Sequence, residues 1–263
     1  MTRRRWMVGG FAVWLSLVVL GPWLAPTSYR IQDRDATLEA PTPGHRLGTD
    51  EFGRDEASRL LWASTLSSLL GLAMATPALG IAVGVGLGMA VWPATMDWGR
   101  AAGEVCRGLP WIFVLVAVRA ALPLNAGAGS VAAALVILFA AAAWPVAAWT
   151  LYGAARQVMQ QDYVQAARGL GASRWHLLRR HVWPNLRGLA ATYFALLVAA
   201  AIGAEVSLEL VGLGLPQPWP TFGNMLDSLR DYSLATHCWW LYSPLLILVP
   251  LLLGLSLAGM ERN

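Results

Sequence analysis

The side chains in this chain that have chemistry to offer are charged, and they fall in three places. The first is the basic stretch Asp162 to Leu186, DYVQAARGLGASRWHLLRRHVWPNL, where Arg168, Arg174, Arg179 and Arg180, flanked by Arg156 and Arg187, face the lone acid Asp162. The second is HRLGTDEFGRDEASR, His45 to Arg59, in which Asp50 precedes Arg54, and Asp55 precedes Arg59, by one helical turn. The third is a scatter of single groups beside apolar runs, namely Arg119, Glu205 and His237. A hydrolase built on Glu205 or His237 needs a nucleophile with a base, or a paired metal motif, and neither H-E-x-x-H nor G-x-S-x-G occurs. No G-x-x-x-x-G-K-[ST] phosphate loop occurs either, so ATP has to be bound elsewhere. His45, Asp50 and Asp55 are conceivable metal ligands, but a single histidine among surface carboxylates is ordinarily solvated, and no metal is expected.

The elements that must hold these groups follow from their neighbours. In the basic stretch Asp162 can cap a helix, with Gln165 reaching back to it, and Gly171 supplies the left-handed residue that ends it. Ser173 can cap a second helix, which Pro184 must kink or hand over to the next segment, since proline lacks a backbone donor. Val164, Ala167 and Leu170 follow helical spacing, and the small pair Ala166 and Ala167 would let a partner approach the backbone closely. In the second stretch, Asp50 behind the Gly48-Thr49 turn and the two acid-first pairs predict a short, exposed surface helix.

Hydrophobic residues make up 57% of the 263 residues and charged residues 13%, about half the charged share of a soluble domain, so the chain is read as an all-α polytopic membrane protein. About six apolar runs reach or approach the length that crosses a hydrocarbon core. They are Trp6 to Leu24, Leu66 to Trp92, Leu109 to Leu122, Val131 to Leu151, Gly188 to Val206 and Trp239 to Gly259. The first is read as a retained span rather than a cleaved signal, because it ends in Pro22-Trp23 without a small-x-small site. Pro77, Pro145, Pro244 and Pro250 interrupt later runs, and Gly80, Gly84 and Gly88 repeat at the spacing that brings membrane helices together, within one chain or between two. Arg119, near the outer end of the third run, either snorkels to the headgroups or lines a wet path. The formal net charge of +4 is carried by arginines flanking apolar runs, which fits the positive-inside bias and argues against nucleic acid as a partner. It places the basic stretch, both termini and the Asp97 to Arg107 turn on the cytoplasmic side. Cys106 and Cys238 then fall toward opposite faces, too far apart for a disulfide.

Three motifs carry a family resemblance. The order Gln165-Ala166-Ala167, Gly169, Gly171-Ala172, Arg174 and Pro184 resembles the EAA loop of permease subunits of bacterial ABC importers, with Gln where Glu is usual. Leu47-Gly48-Thr49-Asp50, Gly53-Arg54-Asp55 and Ser58-Arg59 resemble the LGTD-x-x-GRD-x-x-SR pattern of the dipeptide, oligopeptide and nickel branch. EVSLELVGLGLPQPWPTFGNML, Glu205 to Leu226, resembles that branch's E-x-x-LSFLGLG-x-x-P-x-P-x-WG-x-ML segment, with Glu209 in place of Ser and Phe222 in place of Trp. Ser256 and Met260 stand where the branch has Asn and Asp near its end.

The resemblance implies a type I importer permease in the bacterial inner membrane, non-catalytic itself, with an N-terminal span and outer segment over 1–59 and a core over 60–263. It implies as partners a second homologous permease, two ATPase subunits carrying ATP and Mg, an extracytoplasmic binding protein and the lipid bilayer. Asp162 to Pro184 would be the helix that docks on the ATPase. Arg119 and Glu205 are candidates to line the path, and di- or oligopeptides, or alternatively nickel or a metal chelate, the cargo. The segment after Glu205, apolar and broken by proline and glycine, would be a re-entrant or surface structure able to close over the path.

Overall fold

The computed structural model describes residues 14, 16, 18–121, 123 and 126–260, apart from the side chains of 112, 115, 119, 120 and 258–260. Among the described residues four helices are long and apolar enough to cross a membrane: Glu56–Val91, Ala128–Met159, Arg174–Glu209 and Trp239–Leu257. Most of the first expected span, with Arg3 to Arg5, lies outside the described residues; its end is the helical stretch α1 over 18–24. The side chain of Arg119 lies outside them too.

The chain is built around α2, Glu56–Val91. It packs along α5, Ala128–Met159, and α8, Trp183–Glu209, and α8 packs in turn along α10, Ser243–Met260. Small residues set these approaches. A Cβ added at Gly86 would lie 2.5 Å from the Ala148 carbonyl oxygen of α5, and one at Gly71 would lie 2.7 Å from Ile202 of α8. Among the described residues nothing lies within 4 Å of a Cβ placed at Gly80 or Gly84, both expected to pack inside the core, and one at Gly88 meets only the Thr95 hydroxyl at 3.9 Å. The helix turns its Gly71 and Gly86 positions inward, so the four-residue glycine repeat falls on a different face.

α2 begins at Glu56 rather than at Leu66. Its 36 residues span about 54 Å against a hydrocarbon core of about 30 Å, so its first turns stand beyond the apolar zone. Their polar side chains Ser58, Arg59, Ser64, Ser67 and Ser68 are nevertheless buried within the chain. The boundary expected at 59/60 therefore falls inside one helix.

The third expected span, Leu109 to Leu122, is the helix α4, Trp111–Ala121, of 11 residues, and a further helix, α3, Met96–Gly108, precedes it where a return to the inner face was expected. Pro110 separates the two: its missing N–H would have bonded the Cys106 carbonyl. The Trp111 indole Nε1–H donates to that carbonyl instead, at 2.7 Å. The break is thus closed by a side chain, and the two short helices follow one another across it.

Candidate functional site

The basic stretch is a rigid elbow. α6 runs Asp162–Gly169 and α7 runs Arg174–Leu177; a π turn over Leu178–Val182 then leads directly into α8. Gly171 has φ +87° and closes α6. The Ser173 hydroxyl caps α7, accepting from the His176 N–H at 3.2 Å. Asp162 does not cap α6: it is the first helical residue, where its charge favours the helix N-terminus, and Gln161 takes the cap position without a side-chain bond. Gln165 does reach back, but its amide donates at 2.8 Å to the carbonyl of Met159, the last residue of α5. That bond fixes the angle between α5 and α6, and a carboxylate could not donate it.

Pro184 stands at the handover expected of it: the π turn ends at Val182 and α8 begins at Trp183. The Trp183 N–H bonds the Leu178 carbonyl five residues back, which shifts the ladder just ahead of the residue that cannot donate. Asn185 Nδ2 donates to the His181 carbonyl at 2.6 Å. The elbow is mounted on one end of the bundle through Leu178, Val182 and Leu186, which pack with Leu87, Ala90 and Val91 of α2 and Ala155 of α5. The face expected over Val164, Ala167 and Leu170 divides: Val164 is buried, Ala167 half-buried and Leu170 90% exposed. Ala166, Gly169, Arg168, Arg174, Arg179, Arg180 and Trp175 are also exposed, Ala172 half-buried, and the Arg179 guanidinium lies over the Trp175 ring at 5.6 Å. A mixed cationic and aromatic surface therefore projects from a well-packed base.

The outer stretch departs from its expectation. It forms no exposed helix; it folds as a tight loop pinned by an isolated bridge between Thr49 and Asp55, and Asp50, Arg54, Asp55 and Arg59 are all at least nine-tenths buried. Asp50 accepts from the Phe52 and Arg54 amides at 2.9 and 2.8 Å with one oxygen. Its other oxygen meets Arg54 Nε at 2.7 Å and Arg59 Nη1 at 2.8 Å. Asp55 pairs with His45 at 3.1 Å rather than with Arg59, and caps α2 through the Ser58 N–H at 2.8 Å. Gly53, at φ +70°, lies so close to the Asp33 carbonyl that any Cβ would overlap it. The four-residue charge spacing that suits a helix thus serves a loop, because a carboxylate collecting two amides and two guanidiniums outweighs weak surface pairing.

From this loop, contacts run to distant parts of the chain. Arg54 Nη1 donates to Gln217 Oε1 at 2.7 Å, and Arg59 Nη2 to Asn224 Oδ1 at 3.0 Å. The Trp240 indole donates to the Thr49 carbonyl at 3.1 Å. Gln217, Asn224 and Trp240 carry no local signal of such roles, since their partners are far away in sequence. After α8, Gly212 at φ +72° reverses the chain, and residues 213–221 lead to the short helix α9, Phe222–Leu226. The Phe222 N–H donates to the Ser67 hydroxyl of α2 at 2.9 Å. Glu205 is enclosed here, 1% exposed, with Ser67 Oγ at 3.4 Å. Among the described residues no group of three or more His, Cys, Asp or Glu side chains could hold a metal ion.

The family described as the inner membrane component of binding-protein-dependent transport systems matches residues 78–260. This chain belongs to that family. The matched region takes in the elbow, α8 and the outer segment after it, while the buried Asp50 loop precedes it. This permease component is 30% identical to a peptide transport system permease of Brucella suis, over 92% of this chain and 79% of that one. It is 33% identical to the D,D-dipeptide transport system permease DdpC of Escherichia coli, over 86% and 74% of the two chains. To the dipeptide transport system permease DppC of Bacillus subtilis it is 29% identical, over 87% and 70%. The chain is accordingly an all-α membrane permease subunit of a transport system, with no catalytic step of its own, and it works with an ATPase and other subunits.

Proposed function

We propose that this permease and a second, homologous permease together form the path by which di- and oligopeptides are imported. Two ATPase subunits, holding ATP and Mg, drive the path at Asp162 to Pro184, and an extracytoplasmic binding protein delivers the peptide. The elbow carries this reading: Leu170, Trp175 and four arginines stand exposed on a base packed into the inner ends of α2 and α5, as a lever pushed by another protein requires. Relatives named for peptides and dipeptides support the cargo class. The excess of arginine over acid around the elbow supports a cytoplasmic elbow and cytoplasmic termini. The open face of α2 at Gly80 and Gly84 supports a second permease there. Exposed Tyr232 and Trp239 support an outer partner.

Replacing Leu170 and Trp175 by aspartate tests the reading. The variant should insert and fold, fail to co-purify with the ATPase subunits, and abolish uptake of labelled dipeptide in cells that express the whole system. Undiminished co-purification and uptake would rule the elbow out as the docking element.

A further inference from the structure

The helix that starts at the elbow ends in a contact made by Glu209, which stands where the resembled pattern has Ser. Arg174–Glu209 is continuously helical over 36 residues, about 54 Å from the inner surface to the outer. Its last residue, Glu209, turns its carboxylate inward: the side chain is 9% exposed and lies against Gly214 and Gly223, where any Cβ would collide with it. There Asn224 Nδ2 reaches Glu209 Oε1 at 3.5 Å, while Asn224 Oδ1 accepts from Arg59 Nη2 at 3.0 Å. Arg59 is held in turn by Asp50 at 2.8 Å. The orientation of the Asn224 amide is fixed by its neighbours, since a carboxylate only accepts and a guanidinium only donates. The serine usual at position 209 in the family's pattern is too short to make this reach.

The two sides of Asn224 differ in strength. Toward Arg59 the bond is short and charge-assisted, and it belongs to a buried block that includes the Asp50 loop, the start of α2, Gln217 through Arg54, and Trp240. Toward Glu209 the bond is long, at the limit of hydrogen bonding. α9 is thus tied to the outer block through Arg59, while its polar joints to the rod are both long: this one, and the contact of Glu205 at 3.4 Å with Ser67 Oγ, the hydroxyl that accepts from the Phe222 N–H.

We propose that Glu209 and Asn224 form a latch that holds the outer end of the rod against the outer block and is released when the elbow moves. Asn224 and Glu209 are positioning residues: they touch neither ATP nor peptide, and they set how readily the rod's outer end parts from α9. The inference rests on the peptide-importer reading.

The test uses the full assembly, permeases with ATPase subunits, in liposomes, and measures ATP hydrolysis without binding protein and with binding protein loaded with L-alanyl-L-alanine. Asn224→Ala, which removes the bond from Arg59 as well as the contact with Glu209, should raise hydrolysis in the absence of binding protein by at least about fivefold, the effect of losing one modest hydrogen bond, and lower the stimulation ratio accordingly. Asn224→Asp, which sets two carboxylates face to face, should do at least as much. Combining it with Glu209→Gln restores a donor at 209 and an acceptor at 224 and should return both rates to the parent values. Glu209→Ser, a mild change at a helix end, should behave as Asn224→Ala and serves if the Asn224 variants do not assemble.

Unchanged rates in an assembled Glu209→Ser or Asn224→Ala variant would overturn the latch, as would failure of the double variant to restore them at parental yield. Co-purification of the ATPase is scored throughout. Its absence from the parent assembly counts against the importer reading, whereas an assembled, coupled and unaltered variant counts against the latch alone.

Discussion

Asp50 holds two guanidiniums and two amides in a place that excludes water, and the consequences of removing it differ from those of removing its neighbour Asp55. Without Asp50, Arg54 and Arg59 keep their charge in a buried block and lose the carboxylate they share. Breaking a buried pair from one side costs about 3–5 kcal/mol. Asp55 chiefly caps α2 and meets a partly exposed His45, and a lost cap costs about 1 kcal/mol. Asp50→Ala should therefore lower the thermal unfolding midpoint of the detergent-solubilised protein well below that of Asp55→Ala; equal shifts would show that the Asp50 cluster is not a buried ion network. The same residues show what the sequence could not reveal. The spacing of Asp50, Arg54, Asp55 and Arg59 is compatible with a helix or with a loop that closes on itself, and only Gln217 and Asn224, 163 and 165 residues away from their arginines, settle which. A local pattern cannot carry that information. The turn at Gly48 is local and legible, whereas the cap at Asp55, local too, is masked by the four-residue pairing.

At the scale of elements, the apolar runs marked the long helices correctly and their ends poorly, for one physical reason: the ends are made of polar residues that other parts of the chain bury. α2 continues outward through Ser67, Ser64 and Arg59 because the outer loop and α9 cover them. α8 continues inward through Pro184 because a π turn re-routes the ladder around the missing donor. Gln165 is the element-scale contact most open to test. Its amide joins α6 to the end of α5 through the Met159 carbonyl, and Gln165→Glu removes the donor while keeping the side chain's size. Amide hydrogen exchange over α6 should then speed up about fivefold, the equivalent of one modest hydrogen bond, with no change along α2. Unaltered exchange would mean that Val164, buried beneath the elbow, sets the angle unaided. A second case is the break at Pro110: Trp111→Phe strips the Cys106 carbonyl of the side-chain donor that replaces the missing N–H and should speed amide hydrogen exchange at the junction of α3 and α4. Restoring the backbone donor with Pro110→Ala in the same chain should reverse it.

At the scale of the whole molecule, the glycines of α2 divide into those that build this chain and those it leaves open. Gly86 is pressed against the Ala148 carbonyl, with a Cβ placed 2.5 Å away, and Gly71 against Ile202. Gly80 and Gly84 meet nothing within 4 Å among the described residues and lie on an exposed face one turn apart. A membrane has no hydrophobic force to drive helices together, so close backbone approach through small residues is a main source of affinity between them. If the second permease closes the path against this face, bulk there should separate the subunits without harming either. Gly80→Leu with Gly84→Leu should leave the accumulation and unfolding midpoint of this chain unchanged and abolish its co-purification with the partner permease. Gly86→Leu should lower accumulation of this chain itself, because α2 can no longer reach α5. Intact heteromeric assembly in the Gly80 and Gly84 variant would move the subunit contact to another helix. Loss of the chain itself would show that those glycines pack inside the molecule after all.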